Sequence, residues 1–429
     1  MKRGALTMRQ LRKEPVLNMA TGLLQKQVAG GRKGETTMSR LHQPLDPTKT
    51  GREAESLDRT LRRMVVGQDE AVDQIVNMYQ MYLTGMTAPG RPIANFLFLG
   101  PTGSGKTRTV EALAEALVHN PRAVIKIDCA EFQHSHEIAK LIGSPPGYLG
   151  HRETHPLLSQ EVLNQYHTDT IKVSFVLFDE IEKASDALWN LLLGILDKAV
   201  LTLGDNRKVD FSHCMIFMTS NLGANEMAAL TTPKLGFQRL QNLGADKVAQ
   251  PDAKLNEKLS KTGVEAARRK FTPEFMNRID KVVVFKPLGK TELRRVLEIE
   301  LGQVQQRVLH SAADKSFVFT VTAGGKDFLL NEGTDLKYGA RHLKRAIERL
   351  LVQPLSNLIA TDQVLSGDWI QIDYDASNQC LKFTKEAEGL EVAAMANMLE
   401  STTELPPAAA AAVAPPEQHK TQLAKSSKK

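Results

Sequence analysis

The sequence predicts an α/β fold, a parallel sheet flanked by helices, with a small mixed α/β domain following it. Three observations point there. Short apolar runs alternate with stretches of helical pattern, as in a sheet wound through crossover helices. A glycine-rich turn separates the first run from the first helix, and the pattern changes character near Gly289. The apolar runs at 94–99, 123–128, 173–178, 214–219 and 281–285 are the candidate strands. Most are apolar at nearly every position, as strands covered on both faces must be. Helical stretches cover 106–118, 187–197 and 291–309, the last opened by Gly289. Then come a helix over 339–358 and short strands near 369–373 and 380–383, which belong to the smaller domain. Residues 1–55 lack sustained periodicity and are rich in Lys, Arg, Gly, Thr and Gln, so they predict a mostly disordered basic extension with one short helix near 17–28. The stretch 387–429 is similar, with an Ala and Val run set between Pro406-Pro407 and Pro415-Pro416. The expected division is therefore 1–55, a large domain over 56–288, a small one over 289–386, and a tail over 387–429, without internal repeats.

Composition narrows the class. A chain of 429 residues with 42% hydrophobic content can bury two or three cores. No run approaches the ~18 apolar residues of a membrane span, and the first residues lack the apolar stretch of a secretory signal. Cytoplasmic location is the expectation. Lys2, Arg3, Arg9, Arg12 and Lys13 all precede the first acid, Glu14, a start that also fits an organelle transit peptide. The three cysteines, Cys129, Cys214 and Cys380, form no CxxC pair, which excludes a cysteine zinc site and suits a reducing compartment. The net charge of +6 sits largely in the two tails. Such tails can touch an acidic partner or a polyanion, but solvated charge without a function is the favoured reading.

The residues that carry chemistry begin at the glycine-rich turn, Gly100, Pro101, Thr102, Gly103, Ser104, Gly105, Lys106 and Thr107. The spacing GxxxxGK[ST] lets backbone N–H groups close around phosphate oxygens, while the lysine neutralises the distal phosphates and the threonine hydroxyl faces magnesium. The helix that starts at Lys106 points its positive end at the same place. A plain strand-to-helix turn is the alternative. A magnesium nucleotide also needs a carboxylate at the end of a neighbouring strand, and Asp179 supplies it, with Glu180 beside it to polarise an attacking water. The competing role for this pair is Asp179 as a helix cap with Glu180 in the first turn. Asn221, which ends another apolar run, could orient the same water or simply make a turn. The set predicts an ATPase that uses ATP and magnesium.

Residues 65 to 373 resemble the second ATPase domain of the Clp ring unfoldases, the ClpA, ClpB and ClpC group. The resemblance rests on Val65-Val66-Gly67-Gln68, FLFLGPTGSGKT, GSPPGYLG from Gly143, VLFDEIEKA from Val176, MTSNLG from Met218, FTPEFMNRID from Phe271 and YGARHLKRAIER from Tyr338, in the family's order. It implies an AAA+ fold, with nucleotide held between a large and a small domain of a homo-hexameric ring. Arg278 would be the arginine finger donated to a neighbour's γ-phosphate, and Arg341 the small-domain arginine that senses nucleotide. Val65 and Val66 would line the adenine pocket. Gly147, Tyr148, Leu149 and Gly150 would form the pore loop that grips a moving polypeptide, and Leu235, Gly236 and Phe237 would be a docking loop for a ClpP-like protease. From the residues alone, Arg278 and Arg341 are surface cations, Tyr148 sits in a glycine-flanked turn, and 235–237 is an apolar staple on a long loop.

The sequence departs from the family in having no first ATPase domain, amino-terminal repeat domain, inserted coiled coil or zinc-binding domain. It carries Thr272 where relatives commonly have arginine, and a polar, extended stretch over 238–261. The expectation is a single ring that threads protein substrates. The alternatives are the ATPase subunit of a ClpP-like protease, a nucleotide-switched ring scaffold that threads nothing, and, from the basic ends, a DNA-directed ATPase. No membrane partner is expected.

Overall fold

A run such as Ala-Asn-Phe-Leu-Phe-Leu has no polar face to give to water, so it must form a strand covered on both sides. In the computed structural model, which describes residues 45–143, 156–231, 253–311, 316–334, 339–391 and 394–395, that run is β1, Ala94–Leu99, buried along its whole length. The other four expected strands are β2, Val124–Asp128; β3, Ser174–Asp179; β6, Cys214–Ser220; and β7, Lys281–Val284. They pair in parallel in the order β2-β3-β6-β1-β7. Between β3 and β6 lies a hairpin the sequence reading passed over, β4, Val200–Thr202, and β5, Lys208–Asp210.

Alternation along the strands divides the core in two. Phe96, Phe98, Phe175, Leu177 and Phe217 face one side, and Leu97, Leu99, Val176, Phe178, Ile216 and Met218 face the other. Phe96 stacks on Phe217 at 5.0 Å, and Phe98 lies 4.8 Å from Phe285. Helices α1, Arg52–Met64; α2, Asp69–Leu83; and α3, Lys106–Val118, cover the phenylalanine face. The opposite face is covered by α4, Asp186–Lys198, and α5, Ala253–Lys270. α1 starts inside the stretch expected to be a disordered extension. Its sequence is dominated by charge, and only Ala54, Leu57 and Leu61 are buried. Arg62 ties it to α2 by pairing with Asp69 and Asp73, while also pairing with Asp58 of its own helix.

After β7 the chain builds a separate core around Leu297, Val304, Phe317, Leu329, Leu343 and Leu351. Its elements are α6, Lys290–Ser311; β8, Val318–Val321; α7, Ala323–Gly333; α8, Ala340–Ile347; α9, Gln353–Ala360; β9, Trp369–Asp375; and β10, Cys380–Ala387. The sheet is mixed: β8 and β9 run parallel, and β10 is antiparallel to β9. The helix expected over 339–358 is one continuous run in which a π turn, Glu348–Val352, joins α8 to α9. Pro354 explains it, because proline has no N–H for the preceding turn and the wider spacing absorbs the loss. Residues beyond 386 add to this core, since the Leu390 N–H donates to Gly367 O at 2.7 Å and Met395 packs on Val318. The expected helix near 17–28 and the 406–416 run lie outside the described residues.

Among the described residues no helix is long and apolar enough to cross a membrane. Phe217 of β6 sits opposite Phe96 of β1 with no exposed surface. Phe217→Ala should lower the unfolding free energy by about 3 to 5 kcal/mol, read from denaturant midpoints at constant slope; a loss below about 1 kcal/mol would contradict this packing.

Candidate active site

The C-terminal ends of β1, β3 and β6 converge, and every residue read as catalytic except Arg278 lies on the turns that leave them. After β1 the backbone takes positive φ at Gly100, Gly103 and Gly105. At Gly100, φ is 147° and a Cβ would sit 2.5 Å from the Phe285 carbonyl oxygen, so no other residue fits. A Cβ on Gly105 would instead project into open space, which leaves room for a ligand against the loop.

Lys106 opens α3 at 8% exposure. Its Nζ donates to Gly100 O at 2.7 Å, Pro101 O at 2.9 Å and Asn221 Oδ1 at 3.0 Å. Burial pulls its pKa from the ordinary 10.5 to about 8, against the opposing pull of Asp179, Glu182 and Glu180; the Arg341 charge adds to the lowering. Thr107 follows in the first turn, half-buried, and Ser104 closes the loop by donating to Pro101 O at 2.8 Å.

Asp179 is the last residue of β3, and its Oδ1 accepts from the Thr219 hydroxyl of β6. Thr219 Oγ1 in turn accepts the Glu180 N–H at 3.1 Å. Glu180 is held at φ 54° and ψ 49°, a left-handed conformation that costs a non-glycine residue roughly 1 to 3 kcal/mol. It is the residue before the 3-10 turn Ile181–Lys183, and the Asp179 side chain caps no helix. Both Glu180 carboxylate oxygens are engaged: Oε1 accepts Asn221 Nδ2 at 3.2 Å, and Oε2 pairs with Lys183. Asn221 therefore bridges Lys106 and Glu180 through its two amide atoms, while its own N–H donates to Glu182 Oε1 at 3.1 Å.

Arg278 is elsewhere. Its carbonyl accepts from Asn95 Nδ2 at 3.1 Å, beside the N-terminal end of β1, and five strand residues span about 16 Å from there to the phosphate loop. Its guanidinium pairs with Glu274 at 2.9 Å and Asp197 at 3.8 Å. Thr272, the departure from the family, caps the short helix Pro273–Met276 by accepting the Phe275 N–H at 3.3 Å. Arg341 is close enough to Lys106 to act on its charge. It arrives there because the Ala340 N–H donates to Gly103 O at 3.2 Å, which docks the start of α8 on the loop. Val65 and Val66 are buried just before Gln68. The pore-loop residues Gly147, Tyr148, Leu149 and Gly150, and Leu235, Gly236 and Phe237, lie outside the described residues.

Four contributors carried no role in the sequence reading. Gln68 bonds to Ser104 O at 3.0 Å and to both backbone groups of Lys286, tying the loop to the end of β7. Thr219, Glu182 and Lys183 bind the acidic turn together. All four fall inside the quoted motif blocks, which was the available signal. The donor set would suit magnesium: the Thr107 hydroxyl and Asp179 carboxylate offer oxygen donors, and magnesium on a nucleotide needs only one or two protein oxygens. Among the described residues no cluster of three His, Cys, Asp or Glu could hold a metal alone.

Residues 91–282 match the AAA domain family (Cdc48 subfamily), and residues 288–372 match the C-terminal, D2-small domain of ClpB protein. The chain is 36% identical over 332 residues to chaperone protein ClpB 1 of Thermosynechococcus vestitus, covering 77% of this chain and 35% of that protein. It is 37% identical over 320 residues to the Clp protease ATP-binding subunit ClpC of Staphylococcus aureus, covering 75% and 36%. Among solved structures it is similar to Hsp104 with casein from S. cerevisiae in an extended conformation, with TM-score 0.64 and 28% identity over 78% of this chain and 53% of that one. A closed-state Hsp104 bound to ATPyS and FITC casein gives TM-score 0.62 and 29% identity, covering 77% and 52%. The chain spans about a third of the length of the curated relatives it matches.

Phosphate oxygens favour the charged lysine, whereas unliganded Lys106 loses its proton as pH rises through about 8. Nucleotide binding above that pH should therefore take up a proton, and affinity should weaken as pH rises. Calorimetry in buffers of different ionisation enthalpy measures the uptake; a Lys106→Met variant that takes up the same proton would refute the assignment.

Proposed function

The chain belongs to the Clp-type AAA+ ATPases through its two matched domains, and from that premise we propose that it hydrolyses ATP in a ring to thread protein substrates through a central pore. The observation that carries the ATPase reading is Asn221, which joins the phosphate-loop lysine to Glu180 within 3.2 Å at both ends. Lys106 and the loop N–H groups hold the distal phosphates, and Thr107 and Asp179 hold magnesium, which when bound neutralises charge on the transferring phosphoryl group. Glu180 takes the proton of an attacking water that Asn221 helps to orient. Arg341, carried by the docked small domain, responds to whether the distal phosphate is present, and Val65 and Val66 face the base.

Arg278 supports the ring. A cation about one strand length from its own loop cannot reach the nucleotide it would stabilise, but a neighbouring chain can present it there. The threading assignment rests on Tyr148 within its glycine-flanked motif and on the Hsp104 relatives, whose structures contain casein. Protein substrates, self-assembly as a hexamer and a cytoplasmic setting belong to the same reading. Coupling to a ClpP-like protease through Leu235, Gly236 and Phe237 is its variant, given that ClpC is named as a protease subunit.

Arg278→Ala should bind ATP yet lose turnover by about a thousandfold. Mixing it with Lys106→Ala chains should restore part of the activity, because one of the two kinds of mixed interface joins an intact loop to an intact Arg278. No recovery on mixing would refute donation between chains. Tyr148→Ala should leave ATP hydrolysis intact and abolish unfolding of a tagged fluorescent protein, and unchanged unfolding would remove the threading role.

A further inference from the structure

The left-handed Glu180 turns the chain sharply after β3, so the 3-10 turn Ile181–Lys183 stands against the end of β6. There the Asn221 N–H has lost its strand partner, since the β3 to β6 pairing ends at Phe178 and Met218. Glu182 Oε1 accepts that N–H at 3.1 Å. Its other oxygen, Oε2, is buried and has no hydrogen-bond partner. A carboxylate that is only partly buried yet keeps one oxygen sealed off and unpaired is a poor choice for stability alone, because desolvating that oxygen offsets what one backbone hydrogen bond returns.

We infer that Glu182 is a positioning residue for hydrolysis: by holding the Asn221 backbone, it sets the asparagine side chain so that Nδ2 meets Glu180 and Oδ1 meets Lys106. The inference rests on the hydrolysis reading above. An asparagine amide can face two partners only if its backbone is fixed, since a small rotation that shortens one bond lengthens the other. Glu182 supplies that fix from the turn that also carries Glu180, so the water-activating residue and the residue that orients it move as one piece. Its charge also favours the protonated form of Lys106, in the same direction as Asp179 and Glu180.

Steady-state ATP hydrolysis by the full chain tests this with Glu182→Ala, Glu182→Gln, Asn221→Ala and the double variant Glu182→Ala/Asn221→Ala. Glu182→Ala should lower kcat by about tenfold with little change in KM, the pattern of a group that acts through a catalytic partner. Glu182→Gln, whose amide oxygen can still accept the Asn221 N–H, should recover most of the rate. The double variant should be no slower than Asn221→Ala alone, because the first loss acts through the second residue. Losses that multiply in the double variant, or a Gln variant as slow as the Ala variant, would overturn the inference. Glu180→Gln serves as the control for the reading beneath it: turnover at the unmodified rate there, or none in the unmodified chain, overturns the hydrolysis assignment and this inference with it.

Discussion

A buried ammonium needs acceptors on every side, and at Lys106 that need organises the region around it. Two acceptors are carbonyls of its own loop, which can turn inward only because glycines take the positive φ angles. The third is the Asn221 amide at the end of β6. Burial still lowers the lysine pKa, and three carboxylates at the end of β3 and on the turn that follows hold the opposing field. Strand order β3-β6-β1 brings these groups together, since the loop leaves the third strand, the acids leave the first, and the asparagine leaves the one between. The site is the common edge of three adjacent strands.

The sheet was legible because its strands are covered on both faces and so write themselves as unbroken apolar runs. The same rule explains what was passed over. α1 has its buried residues at helical spacing, Ala54, Leu57 and Leu61, but so few apolar residues among many charges read as solvated chain. β4 and β5 at three residues and β8 at four are too short to show a period. At the site, glycine spacing and the adjacent acids were legible because phosphate chemistry demands those residue types. Glu182, Lys183, Thr219 and Gln68 were not, because each acts across strands on partners 36 or more residues away or through the left-handed turn at Glu180. Arg278 stood between these cases. Resemblance gave it a role, and the fold adds that its backbone lies at the far end of β1.

The two domains meet at the loop itself. Gly103 O accepts from the first residue of α8, and a Cβ on Gly339 would come within 3.0 Å of the same oxygen. A change in loop shape is therefore felt directly by the helix that carries Arg341. This contact adds to the covalent link through residues 285–289, so the small domain is held to the large one at two separate points.

Gln68 gives those two points a mechanical character. By bonding both backbone groups of Lys286 and the carbonyl of Ser104, it anchors the start of the interdomain link to the phosphate loop. Pro287 follows with its φ already fixed, and α6 runs from Lys290 to Ser311. Only Pro287, Leu288 and Gly289 separate that anchor from α6 and the domain built on it. The small domain therefore leaves the sheet from a root whose place is set by the backbone of the phosphate loop itself.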